Sequence, residues 1–313
     1  MQKKESANSN LNRASAAKND EFYTRLTDIE KEMGHYKKHF NNKVIFCNCD
    51  DPKESNFFKY FALNFKFLGL KKLISTHYNK GNKSYKLEVM EDINNDGVIN
   101  LDDAVKTDLI SDGDFRSDEC IEILKEADVV VTNPPFSLFR EYMAQLFEYK
   151  KSFIVIGSEN SISYKEIFPL IKENQLWLGN TRPKEFIQPD GTAKKFGNIC
   201  WYTNLDIAKR HEDIILYKTY SGNEKDYPKY DNYKAIEIRK VKEIPLDYNG
   251  IMGVPITFID KYNPMQFNIV GCDYDVKCGL MPEIENKLWQ GKLDRGYING
   301  KRIYARVFIE KRR

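Results

Sequence analysis

The sequence predicts an α/β fold: a mostly parallel sheet with helices on both faces, followed by a smaller C-terminal region. Three observations carry this. Short β-branched or aromatic runs alternate with segments of helical periodicity and are joined by short turns, as parallel strands with helical crossovers require. One of those runs, Val129-Val130-Val131-Thr132, is apolar almost throughout and reads as a strand buried on both faces. The alternation fades after about residue 210, where Tyr, Lys, Asp, Asn and Pro take over. At 313 residues and 41% hydrophobic content, the chain can bury one large core with a smaller region attached.

Taken in order, residues 1–19 are polar, mixed in charge and without the apolar core of a secretory signal, so they read as a disordered tail on a cytoplasmic protein. No apolar run is long enough to span a membrane. The α/β domain is expected over 20–210. Ile29-Glu30-Lys31-Glu32-Met33 lies in a helix running to about Phe40, and Lys43 to Cys49 is a buried strand. Phe57, Phe58, Tyr60, Phe61, Asn64 and Phe65 recur at helical spacing, with Ser55 or Asp51 as cap and Gly69 as stop. Lys72 to Tyr78 is the second strand and Tyr85 to Met90 the third. Residues 91–112 are an insert. Ser117-Asp118-Glu119 then opens a helix, its acids favouring the N-terminal dipole, and Val129–Thr132 follows as the central strand.

Phe139, Met143, Leu146 and Phe147 share a helix face, and Phe153 to Gly157 is the next strand. Tyr164 to Asn174 reads as a helix interrupted by Pro169, with strands at Leu176 to Gly179 and Asn198 to Asn204. The region 211–313 holds only short strand-like pieces such as Ile236 to Ile238 and Tyr304 to Ile309.

A net charge of +3 permits nucleic-acid binding without demanding it. The charge is uneven: Lys301, Arg302, Arg306, Lys311, Arg312 and Arg313 crowd the C-terminus with Glu310 the one acid among them. Six cysteines are scattered without a Cys-x-x-Cys pair, so buried reduced thiols are expected rather than disulfides or zinc ligands.

The chemistry starts at Asn133-Pro134-Pro135-Phe136. Neither proline can donate to a sheet ladder, so the chain must leave the sheet after Asn133 in a stiff turn. That leaves an amide side chain, fixed carbonyls and an aromatic ring at the carboxyl end of a buried strand, the edge where open α/β sheets bind ligands. The tetrapeptide resembles the signature of S-adenosylmethionine-dependent methyltransferases that act on a planar amino or amide nitrogen. An adenine amino group is a poor nucleophile because its lone pair is delocalised into the ring. The Asn133 side-chain oxygen and the Pro134 carbonyl can accept its two hydrogens and favour a tetrahedral nitrogen, by positioning and fixed dipoles. Phe136 can stack on the base and replace stacking lost on leaving the duplex. The bland alternative is a Pro-Pro turn with a core phenylalanine.

Candidates for a cofactor pocket follow in order. Phe22, Tyr23 and Thr24 can close it and bond the cofactor carboxylate; Asn48 and Asp50, past the first strand, can take the methionyl amino group. Asp114 can accept from the adenine amino group while Phe115 flanks the ring. The usual glycine-rich turn after the first strand is replaced by Asn48-Cys49-Asp50-Asp51-Pro52, and the second strand ends Ser75-Thr76-His77-Tyr78 without the acid that normally binds ribose hydroxyls. Singly, such acids are more often caps or surface charges.

Asp20-Glu21-Phe22-Tyr23-Thr24, Cys47 to Pro52, Gly113-Asp114-Phe115-Arg116-Ser117 and Asn133-Pro134-Pro135-Phe136-Ser137 together resemble the EcoRI-type adenine-specific DNA methyltransferase family. Phe196 to Asn204 and Gly253 to Phe258 extend the resemblance over nearly everything from Asp20 onward. It implies a Rossmann-like methyltransferase fold with a seven-stranded sheet, S-adenosylmethionine as cofactor, and methylation of the adenine N6 amino group in double-stranded DNA. It also implies a bacterial, phage or mobile-element restriction–modification setting, with a cognate restriction endonuclease acting on the same site. The atypical turn after the first strand is a trait of that family. In such enzymes Trp201 and Tyr202 fall near the flipped base, although core packing is the better expectation for Trp201. The loop carrying Arg182, Lys184, Lys194 and Lys195, with Arg302 and Arg306 from the region 211–313, is the expected DNA-contacting surface. Methylation of RNA or of a protein glutamine is the alternative. Glutamine methyltransferases typically carry Tyr at the position of Phe136 and a more ordinary glycine-rich turn. A non-catalytic DNA-binding protein would be expected to lose Asn133 or Asp114, and both are present.

One stretch stands apart. Asp92, Asn94, Asp96, Asn100 and Asp103 occupy positions one, three, five, nine and twelve of a calcium-loop pattern, with Gly97 at six. The competing reading is a surface turn nucleated by Asn95-Asp96-Gly97.

Overall fold

The computed structural model describes residues 23–49, 51–188 and 191–312, so the tail expected over 1–19 lies outside the described residues. Two compact units emerge: the described parts of Met1–Glu166 with Leu178–Leu205, and the described parts of Ile167–Trp177 with Asp206–Arg313.

The first unit begins with β1 (Tyr23–Thr24) and α1 (Leu26–Met33). The helix expected to reach Phe40 tightens at Gly34 into a 3-10 stretch over Gly34–His39, where glycine gives the α-helix least support. β2 (Val44–Cys47) is buried at every position. α2 (Asn56–Leu63) is capped by Ser55, whose Oγ accepts from the Phe57 amide at 3.2 Å. α3 (Phe65–Leu68) stops at Gly69, which supplies the left-handed φ of 66°. β3 (Lys72–Thr76), β4 (Tyr85–Val89) and β5 (Val105–Asp108) follow. α4 (Asp118–Glu126) starts where Ser117 Oγ accepts from the Cys120 amide, and leads into the fully buried β6 (Val129–Thr132). Then come α5 (Phe139–Glu148), β7 (Ser152–Ser158), β8 (Trp177–Leu178, at the boundary between the units), β9 (Glu185–Ile187), β10 (Ala193–Lys195) and β11 (Ile199–Thr203).

The main sheet has eight strands in the order β5-β4-β3-β2-β6-β7-β11-β8. Its centre, β3-β2-β6-β7, is parallel, but β4 on one side and β11 on the other run against it, and β5 reverses again beside β4. The sheet is therefore mixed rather than mostly parallel, and has eight strands rather than seven. The reason is local. No helical crossover separates β3 from β4 or β4 from β5, so the chain turns straight back on itself. β5 is exposed at every position, an edge strand with no apolar alternation to announce it. A separate small antiparallel sheet joins β1, β9 and β10.

In the second unit, α6 (Phe168–Lys172) carries Pro169 in its first turn, so the proline starts this helix instead of interrupting one. β12 (Ile236–Glu237), β13 (Met252–Pro255), β14 (Phe267–Cys272), α7 (Asp273–Lys277), β15 (Tyr297–Ile298), β16 (Lys301–Arg302) and β17 (Arg306–Lys311) complete the chain. A four-stranded sheet, β12-β13-β17-β14, packs Phe308 against Tyr230, Tyr233, Val276, Met281 and Ile284. β15 and β16 form a hairpin whose Asn299-Gly300 turn takes φ of 50° and 71°. Among the described residues no helix is long and apolar enough to cross a membrane.

Candidate active site

β2 pairs in parallel with both β3 and β6, so the carboxyl ends of three strands open side by side: Asn48 after β2, His77 after β3 and Asn133 after β6. The strand ends are tied together. Thr132 Oγ1 donates to the Asn48 carbonyl, and Tyr142 Oη from α5 donates to Asn48 Oδ1, both buried. Asn48 is thus a brace between β2, β6 and α5.

Asn133 is 5% exposed, and Pro134 beside it is buried. The Pro135 carbonyl accepts from the Leu138 amide at 3.0 Å, closing a 3-10 turn over Phe136–Leu138. Phe136 is half-buried, whereas Phe139, one turn on, is 2% exposed and packs on Tyr202 with ring centroids 5.2 Å apart. The core aromatic of this turn is Phe139, and Phe136 stays partly exposed.

The turn after β2 lacks glycine yet still enters the left-handed region, at Cys49 with φ of 72°. Asp50 and Phe22 lie outside the described residues. Tyr23 and Thr24 form β1, and the Thr24 carbonyl accepts from Asn56 Nδ2 at 2.7 Å, which seats Thr24 beside the start of α2. Thr24 is 1% exposed, and its Oγ1 has no hydrogen-bond partner among the described residues. A buried hydroxyl without a partner is costly, and a polar ligand group would satisfy it.

Gly113-Asp114-Phe115 forms a tight turn pressed on the end of β3. Gly113 has φ of 79°, and a Cβ there would sit 1.9 Å from the His77 carbonyl oxygen. Asp114 is gripped by Arg116, which donates Nε at 2.9 Å and Nη2 at 2.7 Å; those hydrogen bonds hold its carboxyl below the usual range despite partial burial. Phe115 is 7% exposed, its ring edge-on to Tyr142 at 5.1 Å. Phe115, Tyr142 and Asn48 are therefore contiguous, and the turns after β2, β3 and β6 frame one edge of the sheet. Thr24 Oγ1, buried and without a partner among the described residues, fits a polar ligand group such as the carboxylate of S-adenosylmethionine.

Trp201 and Tyr202 are both fully buried, Trp201 edge-on to Phe57 at 6.0 Å and Tyr202 bonding the Ser158 carbonyl at 2.8 Å. Of the basic residues singled out from sequence, Lys184 and Lys195 are exposed and Lys194 is half-buried. Arg182 Nε donates to Glu159 at 2.6 Å. In the second unit Arg302 is held by Asp294 at 2.9 Å, and the half-buried Arg306 pairs with the buried Glu237, whose carboxylate also accepts from Tyr230. A cleft of about 430 Å³ brings Arg302 and Arg306 together with Arg239 and Lys301 beside Tyr304, which is 87% exposed. Arg239 and Tyr304 had no sequence signal beyond their residue type.

In the loop with the calcium pattern, Asp92 accepts from the Asp96 and Gly97 amides, Asp96 from Val98, and Asp103 from Ile93, Asn94 and Asn100. The oxygens thus organise the turn itself. No group of three or more His, Cys, Asp or Glu side chains among the described residues is arranged to hold a metal ion.

Residues 10–312 match a family described as "Adenine-specific methyltransferase EcoRI". The chain is 45% identical to the type II methyltransferase M.EcoRI of Escherichia coli, over 97% of this chain and 96% of that protein. It is 42% identical to a type II methyltransferase of Mycoplasma genitalium, over 96% and 98%, and 40% identical to M.MpnI of Mycoplasma pneumoniae, over 96% and 98%. No solved structure matches it.

Proposed function

The chain belongs to the EcoRI family of adenine-specific methyltransferases, and from that premise we propose how its own residues methylate the N6 amino group of an adenine flipped out of duplex DNA. The observation that carries the residue-level reading is Asn133-Pro134-Pro135-Phe136 at the end of β6, in the parallel centre of a Rossmann-like sheet, with Asn133 buried and Phe136 part open. The family implies S-adenosylmethionine, which when bound supplies an electrophilic methyl group.

The Asn133 side-chain oxygen and the Pro134 carbonyl would accept the two amino hydrogens and localise the nitrogen lone pair for attack. The rigid turn does this without reorganisation at the moment of reaction. Phe136 stacks on the extruded base and offsets part of the unstacking cost, a few kcal/mol. Thr24 completes its hydrogen bonding on the cofactor carboxylate, and Asp114 and Phe115 take the adenine end. Lys184, Lys195 and the Arg239–Tyr304 cleft face DNA phosphates. The setting is restriction–modification, with an endonuclease sharing the site.

Tritium transfer from labelled S-adenosylmethionine to mixed DNA, RNA and protein tests the reading, with modification-sensitive sequencing to locate the adenine. Label in RNA or protein but none in DNA would overturn it. Asn133→Ala should lower kcat by roughly 10²–10³-fold or more, the scale for losing one transition-state hydrogen bond, while S-adenosylhomocysteine still binds. Unchanged turnover would refute the role of Asn133.

A further inference from the structure

The strand end where a carboxylate is expected to meet the cofactor's ribose carries none: β3 runs out as Ser75-Thr76-His77. The structure nevertheless puts a carboxylate there, borrowed from the neighbouring loop. β2 and β3 are in parallel register, Cys47 opposite Ser75, so the segment after β2 lies over the end of β3. Asp51 in that segment accepts from Tyr85 Oη on β4 at 2.7 Å and from the Lys53 amide at 3.0 Å, both at Oδ1. Its other oxygen, Oδ2, stands 3.7 Å from His77 Nε2, and the side chain is 27% exposed.

The surrounding groups fix this carboxylate. The His77 and Tyr85 rings lie 4.9 Å apart and tilted by 30°, and Ser84 Oγ is 3.1 Å from His77 Nδ1. Gly113 abuts the His77 carbonyl and Ser84 Oγ, so the Asp114–Phe115 turn is seated directly on the same cluster. The Asp114–Phe115 turn, Asp51 with His77 and Tyr85, and Asn48 with Tyr142 thus share one edge of the sheet, where the adenine and methionine groups already have candidate partners. An oriented carboxylate is the natural acceptor for a vicinal diol, whose two hydroxyls both donate.

We propose that Asp51 binds the ribose hydroxyls of S-adenosylmethionine, held in place by Tyr85 and His77 as positioning residues. The proposal rests on the cofactor reading above and takes its test from binding alone. Asp51→Asn keeps the shape and the turn but removes the charge; Tyr85→Phe keeps the carboxylate but removes one donor that aims it.

Titration calorimetry would compare S-adenosylhomocysteine with its 2′-deoxyribose analogue. The intact protein should prefer the ribose form by about 10-fold, the worth of one hydrogen bond to a charged group. Asp51→Asn should weaken S-adenosylhomocysteine by about 10- to 100-fold and bring the ribose preference close to one, while Tyr85→Phe should lose about 3- to 10-fold and part of the preference. A folded Asp51→Asn that keeps its ribose preference, whether affinity falls or not, overturns the proposal, because a merely structural acid would not discriminate sugars. Should circular dichroism show Asp51→Asn unfolded, Tyr85→Phe decides: unchanged affinity and unchanged preference overturn it. No binding of S-adenosylhomocysteine to the intact protein would instead defeat the cofactor reading itself, and the proposal with it.

Discussion

Replacing Gly113 by alanine separates two costs that usually arrive together. Gly113 has φ of 79°, and an added Cβ would lie 1.9 Å from the His77 carbonyl oxygen. A relaxed C···O contact needs about 3.3 Å, so the turn must give by roughly 1.4 Å. Gly81 is the internal control: its φ is 72°, and nothing lies within 4 Å of a Cβ there. Gly81→Ala should cost only the left-handed strain, about 1–2 kcal/mol. Gly113→Ala adds a backbone collision of overpacking size, bringing the total to about 3 kcal/mol. Asp114 and Phe115 ride on the displaced turn, and a misplacement of about 1 Å can cost 10²-fold at a binding or reacting centre. We therefore expect S-adenosylhomocysteine affinity to fall on the order of 10- to 100-fold in Gly113→Ala and to stay within about twofold in Gly81→Ala. Urea unfolding and calorimetry on the two variants read both quantities. Equal stability loss and equal affinity in the pair would refute the reasoning, since it would mean that the contact with His77 constrains nothing.

Two further outcomes follow from single side chains. Phe136→Ala should destabilise the extruded base by about 1–3 kcal/mol, the range for one base–aromatic stack, leaving S-adenosylhomocysteine affinity unchanged. A 2-aminopurine at the target position would report this as a lower fluorescence rise on binding, and an undiminished rise counts against stacking. In the second unit, Asp273 is 2% exposed and burial pushes its carboxyl up to about 6 from 3.8. A raised carboxyl favours folding fully below the unfolded value and loses that contribution as pH climbs through about 6. Asp273→Asn cannot ionise but can still accept from Tyr233 or the Arg306 amide, which bond Asp273 at 3.2 and 2.6 Å. Its stability relative to the parent should therefore rise by about 2 kcal/mol between pH 4.5 and 7.5 in urea unfolding. Parallel pH curves for the two proteins would contradict the assignment.

What the sequence disclosed about the fold depended on where the apolar side chains lie. β2, β6 and β7 are buried at all or nearly all positions and announce themselves as β-branched and aromatic runs. Ser55, Gly69 and Ser117 mark helix ends through groups that do the same job in any fold. Direction is another matter. Tyr85–Val89 is legible as a strand, but whether it runs with or against β3 depends on the connection, and an eight-residue loop has no room for a crossover helix. β5 is exposed from Val105 to Asp108 and owes its place to pairing with β4, a contact that leaves no periodic trace. Pro169 shows the opposite error, a strong signal with two meanings: the same missing amide breaks a helix in its middle and costs nothing in its first turn.

The candidate site was legible where its chemistry is carried by adjacent residues and silent where it is assembled across strands. Asn133-Pro134-Pro135-Phe136 is a contiguous device, and a turn that both prolines enforce can be read without a fold. The half-open Phe136 beside a buried Phe139 only resolves which of two aromatic rings belongs to the core. Ribose recognition is the contrary case. Searching β3 for an acid fails because the requirement is for a carboxylate at a point in space, and the loops after β2 and β3 share that point. Asp51 meets it only through a tyrosine 34 residues away on β4 and a histidine on β3's own end. Neither Asp51 nor Tyr85 carries a local signature of that role: Asp51 reads as a cap and Tyr85 as a strand residue. The structure gives both residues a second partner, and the glycine at 113 supplies the reason the cluster and the adenine-side turn must move together. If that coupling holds, Gly113→Ala should erode ribose preference as well as overall affinity, whereas a defect confined to the adenine end would lower affinity for ribose and 2′-deoxyribose ligands alike.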